Sequence, residues 1–429
     1  MTLQERISGW FRKPLTQNFV ALVLLQGTNY LLPLVTFPFL FQVLGVERWG
    51  LVAFGYTTMQ YFVMLTDFGF NLSATKHISI HKSDLKAVNR YLNSVYVCRF
   101  VLMLLCLALL FVLVSTVSKF KNDASFFLCY FGIVVGNFMF PMWYFQGMEK
   151  MKYITIFNLV AKLASYIPFF IFIRKPEDYV LVPYLYSSGF IFAGLISVYI
   201  IYFREKQKWF LPSLAEIAFA FKDSFTYFLS RVSFSMYTYI NTFVIGMVCG
   251  NTAVGYYSAA EKLYQAYNNL LFPLTGVLFP HIAKTHNVPL FRRILKFIVP
   301  TNLVLIAAIL LCSWWIVSIV YGSPVHTDTL NVFRLLMCAC VLTIPSILMG
   351  YPFLAAMGHA RYTNWTQVGV AFFHVAGLTL FYFTGNLTIF SVATLVIVTE
   401  FLMLALRVGG VVKYKLFNET PTLLPSDMS

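Results

Sequence analysis

Apolar runs of about 20 residues alternate with short polar segments along the whole chain. A helix of about 20 apolar residues crosses a bilayer, so this pattern predicts an all-α integral membrane protein. Several runs contain proline, which membrane helices tolerate when neighbouring groups satisfy the freed carbonyls. We expect twelve transmembrane helices, over residues 19–41, 49–70, 92–117, 125–146, 154–173, 180–203, 224–249, 256–279, 297–320, 330–357, 363–384 and 387–409.

Composition agrees with this interpretation and narrows the possible functions. The 429 residues are 59% hydrophobic and 11% charged, whereas soluble domains carry about 25% charged residues. The polar segments are too short to form a soluble catalytic domain, so we do not expect an enzyme. The cysteines lie in or beside apolar runs, and the histidines lack the spacing of metal ligands. We therefore expect no cofactor and no metal site.

Lysine and arginine are concentrated in alternate loops, which predicts the orientation of the chain in the membrane. The positive set contains both terminal segments and the loops around residues 76–90, 204–222 and 284–296, whereas the opposite set carries few cations. Both termini should therefore be cytoplasmic. The formal net charge of +15 is largely this topology signal together with attraction to anionic lipids. The basic residues form no stripe and accompany no nucleic-acid motif, so no nucleic-acid partner is expected.

A repeated turn suggests that the chain is a duplicated half. The pattern Gly, four residues, Gly follows the first span at Gly45–Gly50 and the seventh span at Gly250–Gly255. Six spans per half is an even number, so the halves would be parallel repeats. The predicted organisation is a cytoplasmic interfacial lead-in (1–18), an N-terminal six-helix lobe (19–203), a cytoplasmic linker (204–222), a C-terminal six-helix lobe (223–410) and a cytoplasmic tail (411–429).

Cations inside the predicted spans are the first candidates for chemistry. A charge at bilayer depth costs roughly 2.5–3.5 kcal/mol, so it usually faces a water-filled cavity or a partner. A cavity lined mainly by cations would favour an anion. The candidate anion-binding residues are Arg99, Lys162, Arg231, Lys262 and Arg334.

These cations also have less specific interpretations. Arg99, Lys162 and Arg334 could extend their charges to an interface. Lys262 could pair with Glu261, although adjacent helical residues point about 100° apart. Arg231 is the strongest candidate because three serines surround it and its guanidinium offers a fork for phosphate oxygens.

Polar and acidic residues in the spans form a second group. The residues predicted to line a cavity are Gln26, Asn29, Tyr30, Tyr264 and Asn268. For Gln26 and Asn29, hydrogen bonding between helices is the alternative. The candidates for coupling to H⁺ or Na⁺ are Asp67, Glu261, His374 and Glu400. Ion pairing with the inward cations is an equally open role for the carboxylates.

Four segments resemble a known family. They are QGTNYLLPLVTFP at 26–38, DFGFNLSAT at 67–75, PMWYFQGMEKMK at 141–152 and VGYYSAA at 254–260. Together they resemble Wzx-type O-antigen flippases, the polysaccharide-transporter branch of the multidrug/oligosaccharidyl-lipid/polysaccharide exporter superfamily. The resemblance covers about residues 16–410 and is clearest in the first half.

This resemblance implies two six-helix lobes around a central cationic cavity in a bacterial inner-membrane protein. It also implies that an undecaprenyl-diphosphate-linked oligosaccharide crosses from the cytoplasmic to the periplasmic leaflet. The implied partners are this lipid-linked substrate, membrane lipids, a coupling ion (H⁺ or Na⁺), a polysaccharide polymerase and a chain-length regulator.

Two other functions remain open at this stage. A cation or drug antiporter of the same superfamily would need inward carboxylates, but inward cations outnumber them here. A membrane glycan polymerase or ligase would need a long outward loop or a catalytic cluster, and the predicted outward loops are short.

Overall fold

The computed structural model describes residues 14–270 and 272–417, and within them it leaves the side chains of residues 14–31, 229–231, 233–237, 272 and 273 undescribed. The described chain is helical and contains no β-strand, as the hydrophobic pattern predicted. It divides into two compact units, Met1–Ser235 and Met236–Ser429.

The first unit contains nine helices within the described residues. They are α1 (Pro14–Asp67), α2 (Phe70–Ile80), α3 (Leu85–Thr116), α4 (Ser118–Lys121), α5 (Ala124–Tyr130), α6 (Gly132–Met139), α7 (Met142–Gly147), α8 (Met151–Phe172) and α9 (Leu181–Tyr199). Helix α9 follows a 3₁₀ turn, Pro176–Val180, and continues into a π-helical turn, Ile200–Arg204. Helix α10 (Leu214–Val248) begins in this unit and ends in the second.

The remaining described helices belong to the second unit. They are α11 (Asn251–Asn269), α12 (Phe272–Thr285), α13 (Val288–Leu311), α14 (Ser313–Tyr321), α15 (Thr327–Met349), α16 (Ala360–Phe383) and α17 (Ile389–Lys413). A π-helical segment, Gly350–His359, joins α15 to α16.

Within the described residues, eight helical stretches are long and apolar enough to cross a membrane. Two of them, Leu32–Ile80 with 49 residues and Thr327–Phe383 with 57 residues, are each long enough for two crossings. Helix α10, whose stretch Thr238–Val248 is a shorter apolar helix, overlaps the predicted seventh span, and α11 and α12 overlap the eighth. The architecture is therefore consistent with twelve crossings.

The repeated turn has the same backbone geometry in both units. Gly45 interrupts α1 with φ 75° and ψ 166°, and Gly250 precedes α11 with φ 92° and ψ 179°. This region of backbone space is essentially restricted to glycine. The sequence pattern therefore predicted this local turn correctly.

The predicted fourth span is not one continuous helix. An irregular turn at Phe131 separates α5 from α6, and the chain is extended at Phe140 before α7. Pro141 has no N–H group and disfavours a helical conformation in the residue before it, so the helix breaks completely at this point. This break leaves the last carbonyls of α6 without helical partners.

Candidate functional site

Four of the predicted site residues lie outside the described side chains. Arg231 belongs to α10, and Gln26, Asn29 and Tyr30 belong to α1, but the structure describes only their backbone. Their proposed roles in a cavity stay predictions.

Arg99 lies at the broken end of α6 and is only 1% exposed. One of its terminal nitrogens donates to the carbonyl of Asn137 at 3.0 Å, and the other donates to that of Phe138 at 3.4 Å. The carbonyl of Asn137 also accepts from the backbone N–H of Phe140 at 3.2 Å, so Arg99 adds donors to the last turn of α6. The negative end of a helix favours a cation, so Arg99 caps α6 in this conformation.

Asp67 and Lys162 are the other predicted ionisable site residues of the first unit. Asp67 is 3% exposed at the end of α1, and its carboxylate interacts electrostatically with Arg99. This interaction agrees with ion pairing to an inward cation, the alternative to ion coupling for Asp67. Lys162 lies half-buried on α8.

Glu261 and Lys262 are half-buried in the middle of α11. The hydroxyl of Thr242, on α10, donates to the carboxylate of Glu261 at 3.0 Å. The ammonium of Lys262 donates to the side chain of Gln265 at 3.3 Å, one turn further along the same helix. Glu261 and Lys262 also interact electrostatically. The cation of α11 therefore lies in a polar setting in the second unit.

The polar stripe that continues along α11 bonds to α15. The Thr343 hydroxyl donates to the carbonyl of Ala339, so it accepts from the hydroxyl of Tyr264 at 3.4 Å. The thiol of Cys340 donates to the side-chain oxygen of Asn268 at 3.7 Å. Tyr264 and Asn268 thus form hydrogen bonds between helices in this conformation.

His374 lies on α16, is 1% exposed and connects three helices of the second unit. Its Nδ1 lies 2.8 Å from the hydroxyl of Thr399 on α17, and its Nε2 lies 2.7 Å from the side-chain oxygen of Asn241 on α10. Glu400, the next residue after Thr399, is 6% exposed and interacts electrostatically with Tyr264.

Two further arginines of the second unit lie on apolar helices, Arg334 on α15 and Arg407 on α17. Arg334 is exposed on α15 and donates from Nε to the hydroxyl of Ser313 at 2.9 Å. Arg407, which the sequence analysis did not single out, is 6% exposed on α17. It donates to the carbonyl of Ser346 at 2.7 Å and to the side chain of Gln367 at 3.0 Å. In the sequence, its position within the last apolar run was the signal that could have identified Arg407 as a buried cation.

The sequence also gave no indication that Asn241 and Thr399 contact His374. Both are neutral residues in apolar runs, and only their contact with His374 distinguishes them.

The fold is similar to that of solved membrane transporters. An inward-facing multidrug-resistance MATE transporter of the MOP superfamily matches with a TM-score of 0.70 at 14% identity, over 92% of this chain and 96% of that protein. The lipid II flippase MurJ, in an inward closed conformation, matches with a TM-score of 0.65 at 15% identity, over 93% of this chain and 88% of that protein. At these identities the likeness concerns the fold alone.

Sequence relatives identify the family. The family described as "Polysaccharide biosynthesis protein" matches residues 15–286, and the chain belongs to it. A protein of Escherichia coli (strain K12) described as "Putative O-antigen transporter" is 32% identical over 271 residues, which are 63% of this chain and 65% of that protein. One of Shigella dysenteriae with the same description is 29% identical over 268 residues, 62% of this chain and 67% of that protein. The first match thus spans less than two thirds of that relative's length.

Proposed function

We propose that this protein is a flippase for an undecaprenyl-diphosphate-linked O-antigen or related polysaccharide repeat unit. It would move the unit from the cytoplasmic to the periplasmic leaflet of the bacterial inner membrane by alternating access. The observation that carries this proposal is a half-buried lysine on a membrane helix of each unit, Lys162 and Lys262, in a chain of the polysaccharide biosynthesis family.

The chemistry of the substrate explains why cations are needed at bilayer depth. A diphosphate cannot enter a low-dielectric region without counter-charges, because isolated ions are costly to desolvate. Lys262 supplies a compact positive charge beside Gln265. Arg231, on α10, would add a bidentate donor for phosphate oxygens. The glycan would cross in water, and the isoprenoid tail would remain in lipid.

Arg99 and Arg334 are not among the substrate-binding residues of this proposal. Arg99 is buried against the end of α6, and Arg334 is exposed beside Ser313. We therefore assign Arg99 to helix capping and leave Lys162, Arg231 and Lys262 as the substrate candidates.

The partners follow from the reaction. A proton or sodium gradient would drive the cycle, with Glu261, His374 and Glu400 as the coupling candidates of the second unit. A polysaccharide polymerase and a chain-length regulator would act on the delivered units. The protein itself would be a transporter and not an enzyme, with both termini in the cytoplasm.

A cation or drug antiporter is the competing function, and the similarity to a MATE transporter fold is the observation that favours it. That activity needs carboxylates facing the substrate. Here Asp67 interacts with Arg99, and Glu261 accepts from Thr242. Efflux of cationic dyes by the purified protein, without any effect on surface polysaccharide, would support the antiporter.

Substitution of Lys262 tests the proposed substrate site. In cells that depend on this protein for surface polysaccharide, Lys262→Gln should reduce export and cause lipid-linked units to accumulate. Loss of a hydrogen bond to a charged group costs about 1.5–3 kcal/mol, which corresponds to roughly a 10- to 150-fold loss of binding. Lys262→Arg, which retains the charge, should keep measurable export.

The matched control is Lys296→Gln, because Lys296 is an exposed lysine on α13. It should leave export unchanged. Normal surface polysaccharide with Lys262→Gln at normal protein level would remove Lys262 from the substrate site.

A further inference from the structure

Three aromatic side chains of the first unit meet beside the broken fourth span. The ring of Tyr96, on α3, lies 6.0 Å from that of Trp143 and 6.5 Å from that of Tyr202, measured between ring centroids. Trp143 belongs to α7, directly after the break, and Tyr202 belongs to the π-helical turn that follows α9. These three residues, which we call the Tyr96 cluster, therefore join two interruptions of regular helix to α3.

The polar atoms of the Tyr96 cluster are buried without a partner in the protein. Within the described part of the chain, the hydroxyls of Tyr96 and Tyr202 and Nε1 of Trp143 are buried and form no hydrogen bond. Tyr96 is 5% exposed and Trp143 is fully buried. Nε of Arg99, one turn further along α3, is a fourth buried donor without an acceptor. Such atoms are costly to leave unsatisfied, and ordered water usually bonds to them when the protein does not.

The chemistry of these four atoms identifies the ligand that would satisfy them. The N–H groups of Trp143 and Arg99 can only donate, whereas each tyrosine hydroxyl can donate or accept. A metal cation is disfavoured, because the N–H donors present positive charge to it. Water accepts from the N–H groups and also donates to the hydroxyl oxygens, which an anion does not. A buried water makes two to four hydrogen bonds, as this set of atoms allows.

The irregular backbone around the Tyr96 cluster agrees with bound water. Phe140 is extended before α7, and the turn Ile200–Arg204 is π-helical. Non-helical backbone at membrane depth is tolerated where it is buried in protein or lines water. All three cluster residues lie in stretches long and apolar enough to cross a membrane, towards the ends predicted to be cytoplasmic. The path of water from the cytoplasm would therefore be short.

We infer that the Tyr96 cluster is an internal water-binding site of the first unit. Its waters accept from Trp143 and Arg99 and bridge the hydroxyls of Tyr96 and Tyr202. They thereby connect α3, α7 and the π-helical turn, so a hydrated polar contact holds the broken fourth span in addition to the Arg99 cap.

X-ray radiolytic labelling of the purified protein tests for these waters, because hydroxyl radicals form from water at the site and oxidise adjacent side chains. Mass spectrometry should detect oxidation of Tyr96 and Trp143 despite their burial. The control is Tyr321, which is similarly buried at 7% exposed and whose hydroxyl donates to the carbonyl of Ala259 at 2.7 Å. Oxidation of Tyr96 and Trp143 no faster than that of Tyr321 would overturn the inference.

Removal of one hydroxyl distinguishes a hydrated cluster from a dry one. In a dry cluster, Tyr96→Phe removes an unsatisfied polar atom and should leave the melting temperature unchanged or raised. With bound water the same change removes a hydrogen bond, so we expect the melting temperature to fall by roughly 1–3 °C. Tyr321→Phe, which loses a direct hydrogen bond, shows the size of such a loss. A melting temperature for Tyr96→Phe at or above that of the unaltered protein would contradict the site.

A double variant tests whether the two hydroxyls bind the same waters. Tyr96→Phe and Tyr202→Phe combined should lower the melting temperature by less than the sum of the two single changes, because groups that share a partner are coupled. A fully additive loss would contradict a common site. None of these readouts involves transport, so failure of the proposed substrate site in Lys262→Gln is distinguishable from failure of the water site.

Discussion

Buried arginines bind the carbonyl ends of interrupted helices in both units. Arg99 donates to the last turn of α6, and Arg407 donates to the carbonyl of Ser346 near the end of α15. Both helices end where glycine or proline disrupts the regular backbone, at Pro141 and at Gly350. A cation is favourable at the negative end of a helix. A charge inside a membrane helix can therefore stabilise the fold without contacting a substrate.

Removal of Arg99 should destabilise the protein. Arg99→Ala leaves Asp67 without its positive neighbour and removes the side-chain donors to the last turn of α6, at a cost of about 3–5 kcal/mol. Thermal unfolding of the purified protein, followed by loss of monodisperse material, measures this effect. The control is Arg361→Ala, at an exposed position on α16, which should change stability by less than about 0.5 kcal/mol. Unchanged stability with reduced export would instead support a substrate role for Arg99.

At the residue scale, the sequence predicted which charges lie in membrane helices but not what they contact. The partners of Arg99 are backbone carbonyls that exist as acceptors only because α6 ends early. Arg407 lies near the end of the last apolar run, where a cation is typical of an interface. The contact of His374 with Asn241 joins residues that are distant in sequence, and Asn241 belongs to no distinctive motif.

Two glycines with positive φ determine how a pair of membrane helices is connected in each unit. Gly45 and Gly250 have nearly the same φ and ψ, and no atom lies within 4 Å of where a Cβ would be. Steric crowding therefore does not explain the glycines. The backbone conformation itself excludes other residues.

Replacement of either glycine should cost stability through the backbone alone. Gly45→Ala and Gly250→Ala should each destabilise the protein by about 1–3 kcal/mol, as expected for a residue forced into this region. Gly369→Ala is the matched control, because Gly369 also has open space around it but lies inside α16. That change should be neutral or stabilising by up to about 1 kcal/mol. Equal melting temperatures for all three variants would contradict this account.

At the element scale, hydrophobic periodicity predicted most helices because a membrane helix needs a long apolar run. It predicted the fourth span but not the break inside it, because proline is compatible both with a kink and with a complete break. Tertiary contacts decide between these outcomes, and here Arg99 stabilises the broken form. The predicted seventh span corresponds to α10, whereas the predicted eighth span is divided between α11 and α12.

The distribution of charge over the whole chain determines its predicted orientation. Cations are concentrated in alternate loops, so the positive-inside rule predicts that both termini are cytoplasmic. The division between six-helix lobes at residues 204–222 remains a prediction, and the structure divides into compact units at Ser235 and Met236. The family was accessible from sequence motifs, because residues 15–286 retain them.

Reporter fusions test this topology. A fluorescent protein fused after Ser429 should fold and fluoresce, because that end should be cytoplasmic. Alkaline phosphatase inserted at Asn122, between α4 and α5, should be active because that loop should be periplasmic. An active phosphatase after Ser429 would contradict an even number of crossings with a cytoplasmic N-terminus.

Translocation by the purified protein is the most direct test of the central claim. Proteoliposomes would carry an undecaprenyl-diphosphate-linked oligosaccharide, and a membrane-impermeant glycan-oxidising reagent would report the fraction accessible from outside. We expect the protein to expose lipid-linked glycan that is protected in protein-free vesicles, and Lys262→Gln to slow this exposure. Identical protection with and without protein, under both an imposed proton gradient and an imposed sodium gradient, would contradict the account.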